Sequence, residues 1–545
     1  MVPMIQARAQ ANNRTRTALS ACIMLAVTVT ALPATVAIPA AADATLPPDS
    51  PLKQALTPGG TVWSPSPFTD LRVERRALRG DVKKLAWRAC PTEALPTLQC
   101  SVLPVPFNYS KPRTGTFRLA VVRLPATGRK KGSLIFNPGG PGGAGTSAIA
   151  GFAHLMPASI LSRFDFVSWD PRGIGETQPA LQNCPTQFPA RPISGPVNWV
   201  AVRTAAAAAA AANNRTCQQN NQRFINYMGT NNVVRDLDEL RAAVGDRKLT
   251  FWGMSYGTRI GYIYALNYPS KIRTMVLDGN IDPKGNYAGL TQGGTAPDSA
   301  LQFLASVSPP SYNSVIATRD SLDVAPIDLG GGVTYTRWTY LDFLAPLMMF
   351  QGTWPSIHKF GALVNAARIP GPAGDHWREV LKSTIPQYNS NVGGAFSVVN
   401  CLDYADRMSA AAQNAVVTKN AAKAPVFGGT VTTDFAIGCS GLRLRPDPIP
   451  TTRSAANLAR IRGLKLIVSN STNDASTPMI WANKMAASFP SATYLKYRSG
   501  QHVIWMTTPS TCVNDRISTY VLTRRHFKSH TCAFAPPPDL PTSSP

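Results

Sequence analysis

Short apolar runs of strand length alternate with longer stretches of helical period along most of this chain. Residues 116–124, 133–137, 164–169, 249–253, 274–277, 464–469 and 493–497 are rich in branched or aromatic side chains, which predicts buried strands. Between them lie stretches such as 233–244, where Val234, Leu237, Leu240 and Val244 share one face and predict an amphipathic helix. Strands alternating with helices imply a mostly parallel sheet covered on both faces, an α/β fold. Between residues 283 and 460 the alternation stops. Helical and loop-like stretches there carry Trp338, Trp354 and Trp377 with many Gly and Pro, which predicts an inserted, mainly helical cap. The polyalanine tract 205–212 predicts a surface helix in an insertion.

The two ends read differently. Arg8, Arg14 and Arg16 precede an uncharged stretch over 17–42, apolar at its centre and rich in alanine at its end. That pattern predicts a signal peptide over 1–44, cleaved near Ala42 or Ala44, and hence a secreted protein with no stable membrane insertion afterwards. Pro33 and Pro39 argue against an uncleaved anchor. Residues 45–89 are expected to form a strap or linker, 90–282 the first part of the core, 283–460 the cap, 461–534 the second part of the core, and 535–545 a disordered tail.

Composition narrows the partners. At 545 residues, 44% hydrophobic and 15% charged, the chain can bury a large core and is not a disordered protein. Its net charge of +25 would suit nucleic acid, but the basic residues are scattered and not interleaved with aromatics, which excludes a nucleic-acid surface. Export would remove Cys22 and leave eight cysteines. These fall into sequence-local pairs, Cys90 with Cys100, Cys184 with Cys217, Cys401 with Cys439, and Cys512 with Cys532, expected as disulfides in an oxidising compartment. No close Cys or His doublets exist to build a metal site, and none is expected.

The sharpest chemical signal is Gly253-Met254-Ser255-Tyr256-Gly257, a G-x-S-x-G sequence between an expected strand and an expected helix. A serine on such a turn is lifted out of the sheet's carboxyl edge, and the flanking glycines remove side chains that would collide there. A hydroxyl hardly ionises at neutral pH, so it needs a base, and the base needs a partner to hold its tautomer. His502 follows the last expected strand and is the candidate base. Asp474, after the strand at 464–469 and before Thr477-Pro478, is the candidate acid, with Asp278 at the end of the preceding strand as its rival. Oxyanion donors are expected from the amide of Tyr256 and one of Gly139 or Gly140, in the glycine-rich run 137–145 after another strand. That run lacks the Gly-Lys-Ser or Gly-Lys-Thr ending of a phosphate cradle.

Pro138-Gly139-Gly140-Pro141-Gly142, Trp169-Asp170-Pro171-Arg172-Gly173-Ile174-Gly175, Gly253-Met254-Ser255-Tyr256-Gly257-Thr258-Arg259 and Val276-Leu277-Asp278-Gly279 together resemble the proline iminopeptidase and tripeptidyl aminopeptidase family of α/β-hydrolases. The resemblance runs from about Cys90 to about Cys532. It implies an α/β-hydrolase fold with an inserted helical cap, a C-terminal segment carrying the acid and base, and a structural turn at Asp170 to Arg172 with Arg172 clamping neighbouring loops. It also makes Asp403, in Asn400-Cys401-Leu402-Asp403, a candidate anchor for a substrate amine. One departure concerns His502, which is flanked by Gln501 and Val503 where the family commonly has a glycine.

The expected activity is therefore that of a secreted serine hydrolase of aminopeptidase type. It would work through an acyl-enzyme without a cofactor, on peptides with a free N-terminus. An esterase or lactonase with the same triad, and a catalytically dead binding protein on the hydrolase scaffold, are the alternatives.

Overall fold

A computed structural model describes residues 85–90, 95–185, 191–385, 390–450 and 455–542. The expected signal peptide, and the strap up to residue 84, lie outside the described residues. The centre of the molecule is a ten-stranded sheet. From one edge to the other it runs Arg88–Ala89, Gln99–Pro106, Thr116–Leu124, Phe164–Trp169, Gly132–Asn137, Leu249–Met254, Ile272–Asp278, Ile467–Ser471, Thr493–Tyr497 and His530–Cys532. The pairings up to Phe164–Trp169 are antiparallel and those beyond it parallel.

All seven expected strands are present, that at 464–469 starting later, as Ile467–Ser471. The strand Gln99–Pro106 was not expected, because Pro104 and Pro106 interrupt its apolar run. They are tolerated because the outermost strand pairs only with Gln99 and Cys100, which leaves the proline-bearing half as a sheet edge where a missing N–H costs no ladder bond.

Helices cover both faces, as the alternation required. Thr230–Ala243 and Tyr256–Asn267 bury Val234, Leu237, Ile260 and Ile263 against one face. Gly145–Leu155 and Thr511–Thr523 bury Ile149, Val513 and Ile517 against the other. The cap helices Ala296–Val307, Arg337–Met348 and Trp354–Ala367 have a separate core around Trp354, Leu344 and Phe360. Helix Trp199–Asn220, which contains the polyalanine tract, packs on the cap helices Ala410–Lys423 and Gly428–Ile437. An insertion ahead of the nucleophile thus contributes to the cap, and alanine suits a helix that must approach two others closely.

The cysteines pair as sequence proximity suggested: Cys90–Cys100, Cys184–Cys217, Cys401–Cys439 and Cys512–Cys532. The expected tail is corrected for its described part. Ala535 N–H donates to Tyr497 OH at 3.0 Å, Ser308 Oγ donates to Pro541 O, and Leu540 is buried in the cap core, so apolar burial and main-chain partners hold this segment against the protein. Among the described residues no helix is long and apolar enough to cross a membrane.

Candidate active site

Ser255 stands between the strand Leu249–Met254 and the helix Tyr256–Asn267 with φ 53° and ψ −119°, left-handed backbone that a non-glycine residue rarely adopts. Close packing maintains it. A Cβ on Gly253 would lie 2.4 Å from Gly257 O, and one on Gly257 would lie 2.9 Å from Asn137 O, so both flanking positions exclude a side chain. Ser255 N–H donates to Asp278 O at 2.9 Å, which fixes the turn against the next strand.

Asp474 and His502 meet at the same rim. Asp474 Oδ1 accepts from His502 Nδ1 at 2.8 Å, and from the amides of Ser476 and Thr477 at 2.9 and 2.8 Å. Its Oδ2 is buried without a hydrogen-bond partner. Burial works against a charged imidazole, but Asp474, helped by Asp278, outweighs it and raises the His502 pKa above its ordinary value. His502 lies beside the nucleophile's turn: a Cβ on Gly279 would be 2.9 Å from His502 Cε1, and Gly279 directly follows the Asp278 carbonyl that receives Ser255 N–H. Among the hydrogen bonds of the described residues, none joins Ser255 Oγ to His502. Of the two contacts that a Ser-His-Asp arrangement needs, the Asp474–His502 one is present, and a serine–histidine bond commonly tightens only with substrate engaged.

The rival acid has another task. Asp278 accepts from Ile504 N–H at 3.1 Å, Trp505 N–H at 2.9 Å and Ser469 Oγ at 2.9 Å, and burial pushes its carboxyl up to about 6. It holds the chain immediately after His502. There Val503 has φ 60°, the left-handed conformation for which glycine is the unstrained choice.

The glycine-rich run packs directly against the nucleophile. Gly139 has φ 99°, and a Cβ on it would sit 2.8 Å from both Met254 O and Ser255 Cβ. Its N–H donates to Asn137 Oδ1 at 3.1 Å and is thereby engaged.

Asp403 is 0% exposed, and both its oxygens are committed. Oδ1 accepts from Thr230 N–H at 2.8 Å; Oδ2 accepts from Thr230 Oγ1 at 2.5 Å and Arg259 Nη1 at 2.9 Å. This corrects the expectation of a substrate anchor. The carboxylate caps the helix Thr230–Ala243 and neutralises a buried guanidinium, leaving little capacity for a substrate ammonium. The Asp170–Arg172 turn is a clamp. Arg172 pairs with Asp236 at 2.7 and 2.6 Å and donates to the carbonyls of Phe107 and Tyr227, while Asp170 accepts from Thr146 and Glu176 amides.

A different cap carboxylate stands out, and nothing in the sequence marked it. Asp434, on Gly428–Ile437, is exposed, yet burial pushes its carboxyl up to about 7, with Arg191 opposing and Asp342 adding to the rise.

A sheet, an elbow serine and an Asp–His pair on adjacent strand ends define a hydrolase of the α/β class. Residues 132–319 match the family model for the alpha/beta hydrolase fold, and residues 424–531 match that of the TAP-like protein. The chain has the α/β-hydrolase fold, and its C-terminal part is similar to the TAP-like proteins. It is 28% identical to tripeptidyl aminopeptidase of Streptomyces lividans over 491 residues, 82% of this chain and 86% of that one. It is 40% identical to serine protease Hip1 of Mycobacterium tuberculosis over 190 residues, covering 34% of this chain and only 36% of Hip1. Carboxylesterase B of Mycobacterium tuberculosis is 32% identical over 208 residues, 36% of this chain and 40% of that one.

Proposed function

We propose that the protein is an exported serine exopeptidase that removes short peptides or amino acids from a free N-terminus. The observation that carries this reading is the 2.8 Å Asp474–His502 pair beside the strained turn of Ser255, with the glycine-rich run packed on the same turn. His502 Nε2 takes the Ser255 proton as Oγ attacks the substrate carbonyl, while Asp474 holds Nδ1–H. Gly140 and Tyr256 N–H groups receive the oxyanion; Gly139 N–H, bonded to Asn137, is the less available of the two glycine donors. His502 then returns the proton to the departing amine, and water activated by the same imidazole hydrolyses the acyl-enzyme.

Four disulfides and the N-terminal targeting pattern support export. The likeness to carboxylesterase B keeps an esterase as the second reading. Turnover of aminoacyl and tripeptidyl anilides, compared with short acyl esters and with Ser255→Ala as control, separates the two. Anilide cleavage that needs the free amine is expected; ester cleavage alone overturns the peptidase reading.

A further inference from the structure

The loop that carries His502 is tied to the cap through buried amides with no part in the chemistry above. Gln501 is wholly buried; its Oε1 accepts Gln351 N–H at 2.7 Å, and its Nε2 donates to the carbonyl of His502 at 2.8 Å. His502 N–H donates to Met349 O at 2.8 Å. Gln351, equally buried, continues the network: its Oε1 accepts from Ser499 Oγ at 2.9 Å and Tyr497 OH at 3.2 Å, and its Nε2 donates to Ala535 O at 3.0 Å. Ser499 Oγ in turn accepts Gln501 N–H at 3.0 Å. The last parallel strands, the cap segment around 349–351 and the C-terminal segment thus converge on the peptide unit of one histidine.

We infer that Gln501 is a positioning residue: it couples the seating of the cap segment 349–351 to the main chain of His502, so that turnover depends on that segment being docked. The inference rests on the reading of Ser255, Asp474 and His502 as a triad. Its physical basis is the two-ended amide, with an acceptor toward the cap and a donor toward the histidine's own carbonyl. A residue without that side chain removes one of the ties on the loop and strands two buried partners, Gln351 N–H and His502 C=O. Small displacements of a catalytic base weigh heavily on rate, whereas substrate binding does not depend on the imidazole's exact aim.

The test uses the full-length protein, with active sites counted by fluorophosphonate labelling of Ser255. Gln501→Ala is expected to lower kcat per labelled site about tenfold while KM stays within about twofold. Gln501→Glu, which keeps the acceptor for Gln351 N–H but sets a carboxylate oxygen against the His502 carbonyl, is expected to lose at least as much. A purely structural role would reduce the number of labelled sites and the Tm but leave kcat per site unchanged, and that result overturns the inference, as does Gln501→Glu turning over at the parent's rate. Should Gln501→Ala not fold, Tyr497→Phe, which removes the hydroxyl from Gln351 and Ala535, carries the same measurement: a lower kcat per site supports the coupling and an unchanged one overturns it. His502→Ala measured alongside keeps the two readings apart. Retained turnover in that variant defeats the triad itself, whatever Gln501 does.

Discussion

Two buried aspartates near the nucleophile's helix show how different settings give one side chain different work. Asp474 faces a titratable partner, His502, and keeps one oxygen without a hydrogen bond. Asp403 faces a permanently charged partner, Arg259, and has both oxygens committed. The first arrangement allows a proton to pass through its partner while the carboxylate stays put. The second is a locked pair whose charges cancel and whose geometry ties the cap helix Ser390–Asp403 to the helices that start at Thr230 and Tyr256. Burial alone therefore does not identify a catalytic carboxylate; the chemistry of its partner and its unspent capacity do.

The comparison can be broken most severely at the rim. Ser255→Ala and His502→Ala should each lower kcat by about a millionfold, to the residue left by binding and oxyanion donors, with the fold intact by circular dichroism. Asp474→Asn should cost about 10⁴-fold in kcat, because the imidazole loses its tautomer partner. It should also move the acid limb of kcat/KM. His502 acts as a base only when neutral, and its pKa is raised by Asp474, so activity in the parent is lost as pH falls through that raised value; without the carboxylate, burial dominates and the limb shifts to lower pH. A limb that stays in place would remove Asp474 from the role proposed for it.

Asp403→Ala should behave in the opposite way. Stranding Arg259 should cost about 3–5 kcal/mol of stability, read as a lower urea midpoint, while kcat and KM per labelled site change little. A raised KM for free-amine peptides at unchanged stability would instead restore the substrate-anchor role.

Much of the fold was legible. The strands from 116–124 to 493–497 announce themselves because a sheet buried on both faces needs uninterrupted branched and aromatic runs, and such runs are local in the sequence. Gln99–Pro106 escaped because its prolines are permitted only by an edge position that the sequence does not reveal. The elbow serine was legible because its strain demands glycines at fixed offsets. Asp403 was misread because its partners, Thr230 and Arg259, lie more than a hundred residues away, and a motif beside a cysteine carries no information about them. The glutamine before the histidine registered only as a missing glycine; its partner at Gln351 belongs to the cap.

The sequence by itself determined what is periodic or local: the alternating α/β pattern, the serine turn, and the pairing of cysteines close in the chain. Tertiary structure decided which of three aspartates, at 278, 403 and 474, meets the imidazole, which one is spent on an arginine, and how far the cap reaches into the base's loop. The reason is that a carboxylate's role depends on its partners and on its remaining hydrogen-bond capacity, and both are set by residues that only folding brings into hydrogen-bond reach.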